Sequence, residues 1–282
     1  MKKKRVILII VCAVCILAGL CALLYPAFAS WYSKKVQSSI ISEYDDAIKD
    51  AKTEDIERIL REARQYNRKL AEGRISVYDV EKGGYFAQLS CGGSGIMGYI
   101  EIPKINVDLP IYHGITGDEM QRGAGHVPQT SLPIGGIDTH SAIAAHTGQA
   151  SDPLFSDLPL LEIGDGFSIH IFGDVLNYKI IDKQVVVPTD VETIKIQKGK
   201  DLVTLITCYP YPSNTERLLV TGERQPETQE ETMPTETCAE ETESLLVRNC
   251  LYGAALGLGV TVILAAAVWI ISSIRKHHEK EE

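Results

Sequence analysis

Residues 96–224 predict a mainly β domain that closes on itself, set between an N-terminal helical extension and two transmembrane helices. Three observations carry the prediction. From Met97 onward, short β-branched runs alternate with Pro and Gly punctuation, as in a closed β domain. Between Ser33 and Ala71, apolar residues recur at helical spacing. Near each end of the chain lies an uncharged apolar run long enough to cross a bilayer.

The elements follow in order. Residues 1–5 hold Lys2, Lys3, Lys4 and Arg5, and residues 6–28 form the first apolar span. Its end, Ala27-Phe28-Ala29 before Ser30, resembles a signal-peptidase site, so a signal peptide is the alternative; the run exceeds a usual signal core, which favours a retained anchor. In residues 29–73, Val36, Ile40, Tyr44 and Ile48 form one stripe, continued by Ile56, Leu60, Ala63 and Leu70. Lys52-Thr53-Glu54-Asp55 breaks it, with Thr53 as the cap of a second helix and two acids at the positive end of its dipole. Packing of this stripe on the main domain is expected; a bare stalk is the alternative.

Residues 74–95 are irregular and glycine-bracketed, either a connector or a flap. Strands are expected at 99–102, 107–112, 141–145, 168–172, 176–187, 203–208 and 218–222, with helical turns at 119–121 and 154–158. Residues 225–250 open with a Thr-, Pro- and Glu-rich stretch that holds no basic residue through Ser244, the composition of a disordered, self-repelling spacer. Residues 251–273 are the second span and 274–282 a basic tail. Basic residues flank the outer end of each span, which places both termini in the cytoplasm and the β domain outside.

The net charge of −9, with no basic cluster in the central portion, excludes a nucleic-acid surface. Of seven cysteines, Cys12, Cys15 and Cys21 fall in the first span and Cys250 abuts the second. Cys91, Cys208 and Cys238 remain, too few for a disulfide scaffold. Cys208 ends the β run 203–208, and Arg217 opens the next β run after a Pro-rich loop. Neighbouring strands set the thiol beside the guanidinium; a buried structural cysteine is the bland alternative. A nucleophilic thiol needs a proton carrier and a place for the oxyanion. The histidines available are His113, His126, His140, His146 and His170, and His146 stands out because it too closes a strand before a loop. No paired ligand spacing or EF-hand pattern occurs, so neither metal nor cofactor is expected.

Thr204-Leu205-Ile206-Thr207-Cys208 with Arg217 nine residues on resembles the signature of sortases, and the apolar run ending in His146 resembles their histidine motif. Gly98-Tyr99-Ile100-Glu101-Ile102-Pro103-Lys104-Ile105 and Leu109-Pro110-Ile111-Tyr112-His113-Gly114 are similar to the family's opening strands. Gly123 to His126 and Ser131-Leu132-Pro133-Ile134-Gly135-Gly136 resemble its class C, pilin-polymerising branch, as does a second span after an acidic linker. The likeness covers residues 95–224 and implies a closed eight-stranded β-barrel and a thiol transpeptidase. By that resemblance Cys208 attacks the Thr–Gly bond of an LPxTG-like signal, His146 moves the proton, and Arg217 steadies the oxyanion or the substrate. The acceptor implied is a pilin lysine amine, with a cell-wall peptide amine as the alternative. Thr207, Thr147 and Asn214 are the candidate substrate contacts. Class C members often carry an Asp-Pro-aromatic lid between the N-terminal helices and the barrel; residues 74–95 hold no Asp-Pro, and Asp79 or the pair Tyr85 and Phe86 is the candidate in its place. A non-catalytic binding barrel is the alternative of another class. A papain-like protease is disfavoured, because its cysteine opens a helix and Cys208 closes a strand.

Overall fold

Eight strands hydrogen-bond in a ring: β1 (Ile96–Ile102), β2 (Val107–His113), β3 (Ala124–His126), β4 (Thr139–Ala144), β5 (Gly166–Ile171), β6 (Asp174–Val186), β7 (Asp201–Tyr209) and β8 (Glu216–Arg224). Their order around the closed barrel is β1-β2-β3-β4-β7-β8-β6-β5, with β5 returning to β1. The computed structural model describes residues 2–75, 84–90, 95–116, 119–148 and 153–226. The second apolar span, the acidic spacer and Asp79 lie outside those residues.

Two units are present, one containing residues 1–26 and the other Ala27–Gln229. Among the described residues one helix, α1 (Lys2–Asp50), is long and apolar enough to cross a membrane by length and composition. Its apolar side chains from Leu8 to Leu24 are exposed. Pro26 sits inside this helix, where it removes a backbone donor, and the two units divide after it.

In the second unit, the later part of α1 buries Gln37, Ile41 and Tyr44, with Ile40 and Ile48 at the margin of the buried face. That face is rotated from the spacing read in the sequence, and Val36 is exposed. The Tyr44 hydroxyl donates to the Met97 carbonyl at 2.9 Å and accepts from the Phe172 amide at 3.0 Å, which fastens the helix to the barrel. α2 (Thr53–Ala71) buries Leu60, Ala63, Tyr66 and Asn67. Thr53 begins this helix and does not cap it. Lys52 holds the cap position in extended backbone without a side-chain bond, since its ammonium offers no acceptor to the first amides. Glu54 and Asp55 do occupy the first turn.

The seven expected strands are present; all but β2 begin two or three residues earlier than expected, and β4, β5 and β6 end one residue sooner. β3, only Ala124-Gly125-His126, is the eighth, and α3 (Glu119–Arg122) precedes it. β3 runs parallel to β2 and antiparallel to β4, so this short piece bridges two longer strands. Alternation sends Ile143, Val203, Leu205, Leu218 and Val220 into the core with Ile100, Ile111, Phe167, Ile169 and Tyr178. Leu60, Ala63 and Tyr66 of α2 belong to the same cluster, so the extension completes the barrel's core and is no bare stalk.

Candidate active site

Residues opposite to those core positions form a floor across three adjacent strands, partly exposed at Ala144, Ile206, Cys208 and Arg217 and buried at Ala142, Thr204, Leu219 and Thr221. β4 and β7 are parallel, with Ala142 level with Thr204 and Ala144 with Ile206. β7 and β8 are antiparallel, pairing Thr204 with Thr221, Ile206 with Leu219 and Cys208 with Arg217. The Ala145 amide donates to the Ile206 carbonyl at 3.1 Å, and the Thr207 hydroxyl to the Ala145 carbonyl at 2.9 Å. These bonds carry the parallel register one residue past β4, which brings His146 level with Cys208. His146, Cys208 and Arg217 therefore stand in one row on three neighbouring strands, which lie about 4.8 Å apart.

Each member of the row is held differently. Cys208 is a free, partly exposed thiol. The Arg217 Nη1 donates to the Asn214 carbonyl at 3.2 Å and the Glu216 carbonyl at 2.8 Å, fixing the guanidinium against its own turn. Asn214 adopts a left-handed conformation and its amide donates to the Pro210 carbonyl at 2.8 Å, closing the loop between β7 and β8. The carbonyl of His146 accepts from the Phe155 amide at 3.1 Å, so the chain beyond the histidine folds back onto residues 153–156. Gly148 at φ +74 permits that course: a Cβ there would lie 2.1 Å from the Tyr211 ring, so the loops after His146 and after Cys208 meet face to face.

The other candidates separate. Thr147 is half-buried beside His146. Thr207 is 2 % exposed and lies on the opposite face from Cys208, so its side chain serves the β4–β7 register and does not reach a substrate on the outer floor. Asn214 contributes its carbonyl to Arg217. Tyr85 is fully buried: its hydroxyl lies 2.9 Å from His126 Nδ1 and accepts from the Gly114 amide at 3.0 Å. Its ring stacks on His126 and meets His113 and Phe86 edge-on. Those partners end β2 and β3, level with Ile143 and three residues short of the His146 row, and Phe86 itself is 57 % exposed.

His126 and His140, two of the histidines available in the sequence, are both 0 % exposed. Burial pushes His126 down to about 4, and its ring is tied to Tyr85 and to the Ser131 carbonyl at 2.8 Å. Burial also lowers His140 and His113. Each of these three rings is engaged by backbone or buried hydroxyls, and His170 lies on β5 with its ring on Tyr99 and 3.1 Å from Glu101, which leaves His146 as the histidine in the cysteine's row. No cluster able to hold a metal ion occurs among the described residues.

A family model described as a sortase domain matches residues 100–225. The chain is similar to sortase C1 of Streptococcus agalactiae, with 38 % identity and a TM-score of 0.63 over 67 % of this chain and 98 % of that one. It resembles Streptococcus pneumoniae sortase C, described for its catalysis and pilin substrate specificity, with 37 % identity and a TM-score of 0.62 over 68 % and 99 %. It also resembles Clostridium perfringens sortase C solved with the C-terminal cell wall sorting motif, with 41 % identity and a TM-score of 0.58 over 67 % and 99 %. The chain spans between 54 % and 63 % of the length of the curated sortases A and D that it matches.

Proposed function

The chain belongs to the sortase family of cysteine transpeptidases, and on that premise we propose that it joins pilin subunits. It would cleave an LPxTG-like sorting signal between Thr and Gly and pass the acyl group to a lysine amine of another pilin. The observation that supports this reading is the single row of His146, Cys208 and Arg217 at the ends of β4, β7 and β8. Likeness to structures described with a sorting motif and with pilin specificity supports the substrate class.

In this reading Cys208 Sγ attacks the threonine carbonyl carbon, and the thiol proton passes to His146. The oxyanion collapses, the C–N bond to glycine breaks, and His146 returns the proton to the departing amine. A thioester on Cys208 remains. The incoming lysine amine gives a proton to His146 and attacks the thioester carbonyl. The C–S bond then breaks, and the protonated His146 restores the thiol, leaving an isopeptide bond. Arg217, held by two carbonyls on its own turn, keeps a full positive charge beside Cys208 for the oxyanion or the substrate carbonyls. In this reading α1, long and apolar enough to cross a membrane, is the anchor, and the apolar run at 251–273 with its basic flank would put both termini inside and the barrel outside.

The test uses the full chain in detergent with an LPxTG peptide and a lysine-bearing acceptor. Intact-mass spectrometry is expected to show a thioacyl adduct on the wild type and none on Cys208→Ala or on His146→Ala, since acylation needs His146 to take the thiol proton and return it to the departing amine. Lysine-linked product assigns the pilin acceptor; transfer only to a wall-peptide amine assigns anchoring to the wall. A wild type with no adduct across several signals leaves the binding-barrel reading. Removal of residues 76–83, including Asp79, tests the lid: it is expected to raise the adduct rate with Tyr85 left in place.

A further inference from the structure

The outer floor continues from the cysteine row toward the opposite end of the strands, through Ile206, Ala144 and Leu219 to Thr204, Ala142 and Thr221. There it meets residues 192–197 of the connection between β6 and β7. A cavity of about 450 Å³ lies between Glu192, Thr193 and Gln197 on one side and Ile181, Leu202 and Thr221 on the barrel wall. The buried His140 side chain joins residues 192–197 to the floor. His140 Nδ1 lies 2.8 Å from the Lys195 carbonyl and Nε2 lies 2.7 Å from the Thr204 hydroxyl. The Thr204 hydroxyl lies 2.7 Å from that of Thr221.

The acceptor-only carbonyl fixes the tautomer: Nδ1 carries the proton and donates to Lys195, so Nε2 accepts from Thr204. Thr204 then accepts from Thr221, and one directional chain links β8, β7, β4 and residue 195. His140, Thr204 and Thr221 are 0 %, 0 % and 6 % exposed, so the bonds among these three side chains are buried, and the one to the Lys195 carbonyl is partly so. Burial keeps the imidazole neutral, which preserves the direction of the chain.

We propose that His140 is a positioning residue for the substrate groove: through the Lys195 carbonyl and the Thr204–Thr221 pair it sets the height of residues 192–197 above the floor. The proposal rests on the sortase reading of the Cys208 row. Thr204 is four residues from Cys208 along β7, about 13 Å of extended strand. The part of the signal that precedes the scissile bond is four residues long and spans a similar length, at most about 14 Å when extended. A signal laid along the floor from Cys208 thus reaches the level at which His140 holds the wall. The contribution of His140 is to substrate binding, at a distance from the reacting atoms.

The test measures steady-state transpeptidation and iodoacetamide alkylation of Cys208 on the full chain in detergent. His140→Leu and Thr204→Val are expected to raise KM for the sorting peptide about tenfold with kcat changed less than about twofold. Alkylation of the thiol is expected to keep its wild-type rate in both variants. His140→Gln, whose amide can donate to Lys195 and accept from Thr204, is expected to recover most of the loss. Amide exchange of residues 192–197 is expected to quicken in His140→Leu without substrate present, while thermal unfolding reports whether the barrel has stayed folded. If His140→Leu does not fold, Thr204→Val carries the same test. An unchanged KM in both variants, with a wild type that forms its thioacyl adduct, overturns the role of His140 alone. A fall in kcat together with slower alkylation overturns it too, by placing the effect on the reacting row. A wild type with no adduct overturns the reading of the site itself.

Discussion

At Gly148 two constraints coincide, a left-handed backbone at φ +74 and a neighbouring ring with no room for a Cβ. Gly148→Ala is expected to cost about 1–2 kcal/mol from the backbone alone, and more from collision with Tyr211. Urea unfolding measures the sum, and the same substitution made in Tyr211→Ala isolates the backbone part. Buried His126 makes a second prediction. Its folded value is about 4 against an ordinary 6.5. The unfolded chain therefore binds the proton first, so this contribution is complete above pH 6.5 and is lost as pH falls toward 4. The difference is on the order of 3 kcal/mol. His113 and His140 are lowered in the same sense, whereas burial raises Asp108 and Asp201, which opposes the loss at the acidic end of the window. Unfolding free energies from pH 8 to 4 check the slope; a flat profile through pH 5 contradicts it.

At the scale of elements, α2 is joined to the barrel by Asn67, which donates to the Leu132 carbonyl at 3.0 Å and accepts from the Leu132 amide at 2.7 Å. Asn67→Ala strands both groups of a buried backbone and is expected to cost about 2–4 kcal/mol, with faster amide exchange in α2 as the local readout. Asn67 also shows where sequence reading stops. A polar residue falls outside an apolar stripe, so its burial was invisible, whereas Leu60 and Ala63 were legible from spacing. The long strands were legible because their alternation runs for several residues. β3 was not: Ala-Gly-His is too short to show a period, and only its partners on both sides make it a strand. Cys208 beside Arg217 followed from two consecutive strands. The placement of His146 beside them did not follow from spacing, because it depends on a parallel pairing between strands separated by some sixty residues, and residue patterns carry no register for such a pair. Likeness to known motifs supplied what periodicity could not.

In the barrel unit, the main core joins α2 to the barrel, a smaller cluster around Tyr44 joins α1 to it, and the candidate chemistry sits on the other face of the wall that encloses the core. The division runs through β7 itself. Val203 and Leu205 face the core and Thr207 holds the register, while Thr204, Ile206 and Cys208 line the floor. Six consecutive residues thus serve two tasks by turns, and selection acting on one set leaves the other nearly untouched. A saturation scan of residues 203–208 is expected to sort by burial. Odd positions and the buried Thr204 are expected to lower the amount of folded protein, and Ile206 and Cys208 to change turnover or peptide preference at normal abundance. Two superposed records would then be readable from one strand, one of foldability and one of substrate preference.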